Sequence, residues 1–253
     1  MSERTSDAVT DVLAAPAKLT WSLRVVGVRD DGYHLIDSEM LTLDLADSLT
    51  VTPAGETTLS VSGPFAAGVP TDGSNLVVRA LGIVGRTATV HVDKQIPNGG
   101  GLGGGSADAA AILRWAGIGD LAVAAGLGAD VPFCVVGGRA RVTGIGEVVA
   151  PLPHVARTVT LVVPPLRVST PAVYRAWDEL GGPTGDARND LAAAAVAVEP
   201  RLARWRDRIA ALSGVPPTLA GSGATWFVEG RRDDALGALS GEGATVVVCQ
   251  AVP

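Results

Sequence analysis

The chain is poor in cysteine, poor in lysine and has no long apolar run. Its two cysteines, Cys134 and Cys249, sit far apart inside apolar, strand-like stretches. They read as buried free thiols in a reducing compartment, not as a disulfide framework. No cysteine or histidine falls at metal-ligand spacing. No apolar stretch approaches the roughly 20 residues that a spanning helix needs. Met1–Val9 is polar, lacks the hydrophobic centre of a signal peptide, and is expected to be a short disordered tail. The net charge of −6 argues against general nucleic-acid binding. What is left is a globular protein, 253 residues long and 47% hydrophobic, forming one large domain or two small ones. It is expected in the cytoplasm, as a monomer or homodimer, with neither membrane nor nucleic-acid partner.

The scarcity of lysine is informative. Of 20 Lys plus Arg, only Lys18 and Lys94 are lysines. A chain that otherwise chooses arginine keeps a compact ammonium at these two places. Lys94 stands just before the richest glycine segment, Pro97-Asn-Gly-Gly-Gly-Leu-Gly-Gly-Gly-Ser106, which has six glycines in seven residues. Ala107–Leu113 follows at high helical propensity. Glycine lets a backbone approach a ligand closely, and a helix start adds unpaired N–H donors and a positive dipole end. Together they form a cradle for an anion, most commonly phosphate. A flexible linker would be longer and would not run into a helix. The P-loop pattern fails, because Ser106 follows Gly105 with no lysine between. The dinucleotide fingerprint fits Gly99, Gly101 and Gly104. Its acid, Asp120, would however sit in a turn, Gly117-Ile-Gly-Asp120, and not at a strand end.

Periodicity predicts strands at Val12–Val28, Leu35–Leu45, Ser48–Thr52, Thr57–Ser62 and Thr87–Asp93, with a turn at Arg29–Gly32. It predicts a helix over Asn75–Val84 capped by Ser74, and a short helix over Asp120–Leu127. Val131 precedes Pro132 and is pushed toward extended geometry, so Phe133–Val136 is expected to be a strand. One or two strands follow in Arg139–Val149. Pro151 and Pro153 break the chain, and the domain boundary is placed near His154, giving domains 1–154 and 155–253. The second half reads as a strand at Thr158–Val163 and helices at Pro171–Leu180, Asp190–Val198 and Arg201–Leu212. Strand, turn and strand follow over Thr218–Glu229, then a helix at Arg232–Leu239 and a strand at Ala244–Ala251. Strands and helices mix without a βαβ rhythm or internal repeat, which makes the class α+β.

Three segments in order, Ala15-Pro-Ala-Lys18-Leu, Pro97–Ala111 and Leu219-Ala-Gly-Ser-Gly-Ala224, resemble the GHMP kinases. Within that superfamily, five further segments are similar to the kinases of 4-diphosphocytidyl-2-C-methyl-D-erythritol. They are Asp31-Gly-Tyr-His34, Ser74–Ala80, Leu127-Gly-Ala-Asp-Val-Pro-Phe133, Gly144-Ile-Gly-Glu147 and Ser169–Tyr174. The resemblance implies a two-domain GHMP kinase fold with an active-site cleft between the domains. It also implies ATP-dependent phosphorylation of the 2-hydroxyl of the cytidyl erythritol, in the non-mevalonate route to isoprenoid precursors. The alternatives are a GHMP-type kinase or divergent paralogue with another acceptor, and a non-catalytic nucleotide-binding protein. Two departures are visible: after Pro-Ala-Lys-Leu the family usually has Asn where this chain has Thr20, and the stretch between the Gly-loop helix and Gly128-Ala-Asp is short, as if a helix had been trimmed.

Carried over residue by residue, the resemblance implies that Asp130 is the base that takes the hydroxyl proton. Lys18 would stand beside it and steady charge on the transferring group. Gly99, Gly100, Gly101, Gly103, Gly104, Gly105 and Ser106 would bind the ATP phosphates, with Ser106 also a candidate Mg²⁺ ligand. Asn75, Leu76 and Lys94 would line the adenine side. Tyr33 and Tyr174 would sandwich the cytosine while His34 reads its edge, and Thr20, Gly221, Ser222 and Gly223 would complete the substrate side. Asp108, in the first turn of the loop helix, suits the dipole but would repel a triphosphate unless a metal lay between.

Overall fold

Two long strands form the spine of the structure, a computed structural model that describes residues 9–184 and 187–253. The tail expected to be disordered lies, up to residue 8, outside the described residues. Strand β1 (Asp11–Val28) turns through Arg29–Gly32 into β2 (His34–Pro53), and the two pair antiparallel along their whole length. Gly32 takes the left-handed φ of 83° that this tight turn requires. Then come β3 (Thr58–Ser62), α1 (Leu76–Ile83), β4 (Ala88–Asp93) and α2 (Gly104–Trp115). After these stand α3 (Leu121–Ala125), α4 (Val131–Val136), β5 (Arg139–Gly144) and β6 (Val148–Leu152). The second half contains β7 (Thr158–Val163), α5 (Thr170–Glu179), α6 (Ala192–Val198), α7 (Arg201–Ser213), β8 (Thr218–Leu219) and β9 (Trp226–Glu229). It ends with α8 (Asp233–Leu236), a 3-10 turn over Gly237–Glu242, and β10 (Thr245–Val252).

The sheet order is β3-β4-β2-β10-β7-β9-β8, with β1 and the β5–β6 hairpin also on β2. The last strand joins the halves. Thr245–Gln250 pair with β7, while Ala251 and Val252 pair with Leu43 and Thr42 of β2. Two cores flank this sheet. In the first, α2 lies on β1 and β2 with Ala107, Ala109, Ala110, Ala111, Ile112 and Leu113 all buried. Its small alanines let the helix approach the sheet closely, and a helix buried on most sides belongs at the centre of a layer. The second core gathers α5, α6, α7 and β9 onto Leu23, Val25 and Ile36 from the spine. Trp21 of β1 ties the halves together. It packs against Phe227 at 5.5 Å, and the guanidinium groups of Arg157 and Arg188 lie over its ring at 4.1 and 4.6 Å from the centroid. No helix among the described residues is long and apolar enough to cross a membrane.

The expected α+β class holds, and four local expectations are corrected. Leu35–Leu45 and Ser48–Thr52 are one strand, because the β2 backbone keeps its pairing through Ala46 and Asp47. Helix α1 is capped by Asn75, whose Oδ1 accepts from Val77 N at 2.8 Å, and not by Ser74, whose hydroxyl is held by Asp72 at 2.6 Å. Residues 131–136 form helix α4 and not a strand: proline in the first turn loses no hydrogen bond and presets the helical φ. Finally, α6 starts after Asp190, since Asn189 turns its Oδ1 onto Leu191 N at 2.9 Å.

Candidate active site

Lys18 and Thr20 are aimed by irregularities in β1. The β1–β2 register shifts between Pro16 and Lys18 and again between Thr20 and Ser22. Bulges of this kind re-aim side chains and recur beside functional sites. Both residues are buried, and Lys18 Nζ donates to Thr20 Oγ1 at 3.0 Å. Lys18 Nζ also pairs with Asp130 Oδ2 at 3.2 Å. Asp130 is the N-cap residue of α4, and its side chain stays 35% exposed while that of Lys18 is 6% exposed. A buried ammonium thus meets a carboxylate still open to the cleft.

The glycine segment crosses directly above this pair. Helix α2 begins at Gly104, three residues earlier than the alanine run suggested, with Gly103 as N-cap at φ +70°. The N–H groups of Gly104, Gly105 and Ser106 therefore fall in its first turn, where helices leave donors unpaired. Gly103 must lack a side chain: a Cβ there would stand 2.7 Å from Lys18 Cγ. At Gly101, φ +78°, a Cβ would meet the carbonyl oxygens of Ala220 and Gly223 at 2.6 and 2.9 Å. The loop therefore backs onto the third motif, and Gly221 in turn lies close to Thr20 and Lys18. All three motifs converge on one point.

Two cavities open from that point. One, of about 320 Å³, is lined by Asn75, Leu76, Lys94, the segment Pro97–Ser106 and Asp108. The other, of about 620 Å³, is lined by Lys18, Thr20, Tyr33, His34, Asp130, Tyr174, Gly221 and Ser222. Gly101 and Ser106 line both, so the cavities meet at the loop beside Lys18 and Asp130. Of the expected residues, Gly223 lines neither; its carbonyl faces Gly101.

In the larger cavity His34 and Tyr174 stack with centroids 4.7 Å apart, and Trp177 meets His34 edge-on at 5.6 Å. Asp178 Oδ1 lies 2.8 Å from His34 Nε2 and holds the ring in place. Burial, then the nearby Asp130 charge, pushes the Tyr174 phenol up to about 12. Tyr33 sits on the rim, 59% exposed.

Beneath the smaller cavity lies a buried ionic cluster that sequence reasoning did not foresee. Lys94 Nζ donates to both Asp47 and Asp108, the latter at 2.6 Å. Asp47 Oδ1 also accepts from the backbone N–H of Gln95 and Ile96 at 2.6 and 2.8 Å. Burial opposes the Lys94 charge, but Asp108 and Asp47 outweigh it and hold the amine above its ordinary value. Burial pushes Asp108 up to about 7 against the pull of Lys94. Asp108 is therefore a partner of Lys94, not a simple helix-start acid. Two further residues were missed. Asn189 Nδ2 donates to Leu219 O and Gly221 O at 2.8 and 2.7 Å and so fixes the third motif. Arg175 lines the larger cavity. The signal for Asn189 was a polar Asn-Asp pair opening an alanine-rich helix.

Comparisons with known proteins show what the chain is similar to. Residues 75–138 match the GHMP kinases N terminal domain. A homoserine kinase from Cytophaga hutchinsonii shares the fold with a TM-score of 0.64 at 15% identity, covering 100% of this chain and 96% of that one. The fold is thus that of the GHMP kinases. A crystal structure of 4-(cytidine 5'-diphospho)-2C-methyl-D-erythritol kinase matches with a TM-score of 0.75 at 32% identity, covering 96% of this chain and 100% of that one. The 4-diphosphocytidyl-2-C-methyl-D-erythritol kinase of Paracoccus denitrificans is 42% identical over 236 residues, 85% of each chain. Its counterpart in Ruegeria pomeroyi is 38% identical over 240 residues, 84% of this chain and 86% of that one. The chain belongs to the 4-diphosphocytidyl-2-C-methyl-D-erythritol kinase family.

Proposed function

We propose that the chain transfers the γ-phosphoryl group of ATP to the 2-hydroxyl of 4-diphosphocytidyl-2-C-methyl-D-erythritol. The observation that carries this reading is the Lys18–Asp130 pair at the seam where two cavities share Gly101 and Ser106. Phosphoryl transfer needs a donor and an acceptor held in line, with charge stabilised between them. The smaller cavity takes ATP: Asn75, Leu76 and Lys94 on the adenine side, and the Gly99–Gly105 backbone with Ser106 on the phosphates. The larger takes the cytidyl substrate, with Tyr33 and Tyr174 on the cytosine faces and His34, steadied by Asp178, on its edge. Thr20, Gly221 and Ser222 close the reacting end, and Gly223 supports them from behind. Arg175, exposed and with no ion partner among the described residues, suits the substrate's diphosphate.

In the reaction, the substrate oxygen forms the new bond to the γ-phosphorus as the bond to the bridging oxygen breaks and ADP leaves. Asp130 takes the hydroxyl proton, and Lys18 offsets the charge that builds on the phosphoryl oxygens. Ser106 would hold Mg²⁺ together with the phosphates; its hydroxyl is a hard donor suited to that ion, which when bound neutralises phosphate charge. Residues 1–154 would form the ATP-binding domain and 155–253 its partner. The proposed place of action is the cytoplasm, whose reducing conditions suit two free thiols. A coupled ADP-release assay tests the acceptor. Turnover with the cytidyl erythritol, and none with mevalonate or homoserine, supports the reading; the reverse pattern overturns it.

A further inference from the structure

The smaller cavity is short of positive charge. The charged residues that line it are Lys94 and Asp108, and Lys94 is shared between Asp108 and Asp47. That cluster sums to −1 with both acids ionised and to zero with one protonated. Lys18 is likewise committed to Asp130. A nucleotide polyphosphate brings several negative charges. Backbone donors and the start of α2 offset only part of them.

One cation that does not itself line the cavity stands beside residues of its wall. Arg167 lies in the connection from β7 to α5. Its neighbours Leu166 and Val168 pack on the second core, so the alternation turns Arg167 the other way. It is exposed and reaches the glycine loop. A Cβ built on Gly99 would stand 3.7 Å from Arg167 Cγ and 3.9 Å from Cδ. One built on Gly68 would stand 3.4 and 3.7 Å from the two terminal guanidinium nitrogens. The stem thus lies along the loop, and the head rests beside Gly68, next to Val69 and Pro70 of the cavity wall. No described residue gives Arg167 a hydrogen bond or an ion pair. Five donors and a full charge are unspent at the mouth of an anion cradle.

We propose that Arg167 is a nucleotide-binding residue supplied by the C-terminal half, its guanidinium attracting and contacting the phosphate tail of the bound nucleotide across the cavity mouth. The proposal rests on the reading of this cavity as the ATP site. It accounts for an arginine whose stem lies on the glycine loop while its head has no partner. It also gives the second half of the chain a direct hold on the nucleotide.

The test is calorimetric titration of ADP and of adenosine into the wild-type chain, Arg167→Met and Arg167→Lys, at low and high salt. Arg167→Met keeps the stem on Gly99 and removes the charge. It is expected to weaken ADP about tenfold, the scale of one charge-assisted contact. Adenosine affinity should not change, Arg167→Lys should recover part of the loss, and added salt should narrow the gap. ADP affinity unchanged to within about twofold in Arg167→Met, or an equal loss for adenosine, would overturn the proposal. A wild-type chain that binds no ADP would overturn the nucleotide reading itself, and this proposal with it.

Discussion

Gly103→Ala and Gly105→Ala make the same change two residues apart and should have opposite results. At Gly103 the backbone is left-handed, φ +70°, which costs an alanine about 1–2 kcal/mol. The new Cβ would also sit 2.7 Å from Lys18 Cγ and 3.2 Å from Cε. The Lys18 backbone cannot recede, because its N–H is bonded to Leu102 O at 3.0 Å. The side chain must therefore swing, and it carries the ammonium off its 3.2 Å contact with Asp130. A displacement of about 1 Å at a reacting centre costs on the order of a hundredfold in rate. The expected result is a roughly hundredfold fall in kcat, with a melting temperature lower by about 2–4 °C per kcal/mol of strain. At Gly105 the nearest protein atom to a new Cβ is Leu76 Cδ1 at 3.9 Å, and alanine in a helix gains about 0.5–1 kcal/mol over glycine. That variant should melt higher and leave Lys18 on Asp130; because Gly105 lines the proposed ATP cavity, its cost should fall on KM for ATP and not on kcat. Steady-state ADP release and thermal unfolding read both. A Gly103→Ala enzyme at wild-type kcat, or a Gly105→Ala enzyme equally damaged, would refute the argument.

Three further outcomes follow from the same geometry. Tyr174→Ala should weaken the cytidyl substrate by about 1–3 kcal/mol in direct titration and leave ADP binding unchanged, since base stacking is lost on one side only; weakened ADP would contradict the division of the cavities. Asp47→Ala removes one of two carboxylates from a buried lysine and leaves two backbone donors unpaired. It should cost about 3–5 kcal/mol in denaturant unfolding, and a loss below about 1 kcal/mol would show that the cluster is not a structural bolt. Burial, with the charges of Asp130 and Asp44 respectively, pushes the thiols of Cys134 and Cys249 up to about 12. A raised value keeps each thiol protonated below that pH, so neither should react with iodoacetamide at pH 8 until the chain is unfolded; rapid labelling of the native protein would contradict it.

The parts legible in the sequence are those that local pattern encodes. Period-two alternation marks the β4 strand, Asp120 lies outside any strand and caps α3 at Ala122 N, and the glycine run does open a helix. The strand expected at Phe133–Val136 is part of helix α4, because the six-residue apolar run from Val131 fits strand and helix alike and the bias of a residue before proline does not decide between them. The bulges around Lys18 and Thr20 were invisible, since a bulge exists only in the register of two strands. Asp47 and Asn189 were unreadable for a related reason. Asp47 contacts a backbone 48 and 49 residues away, and Asn189 one 30 and 32 residues away. Nothing in the residues around Asp47 distinguishes it from a surface polar group, and the Asn-Asp pair before the alanine run marks Asn189 as a helix-start residue without showing the backbone it reaches. Lys94 stands out in the sequence by its rarity, and in the structure its ammonium is taken up by two carboxylates. Thr20, where the resemblance implies Asn, accepts from Lys18, a task that needs only a hydroxyl.

The central claim is that Asp130, held by Lys18 at the seam of two cavities, takes the acceptor's proton during phosphoryl transfer. The most direct measurement compares the wild-type chain with Asp130→Asn in formation of the phosphorylated cytidyl product from ATP. Asparagine keeps the shape and cannot take the proton. The account predicts a loss of about two orders of magnitude or more in kcat, with ADP affinity retained. An Asp130→Asn enzyme that forms product at the wild-type rate would contradict it.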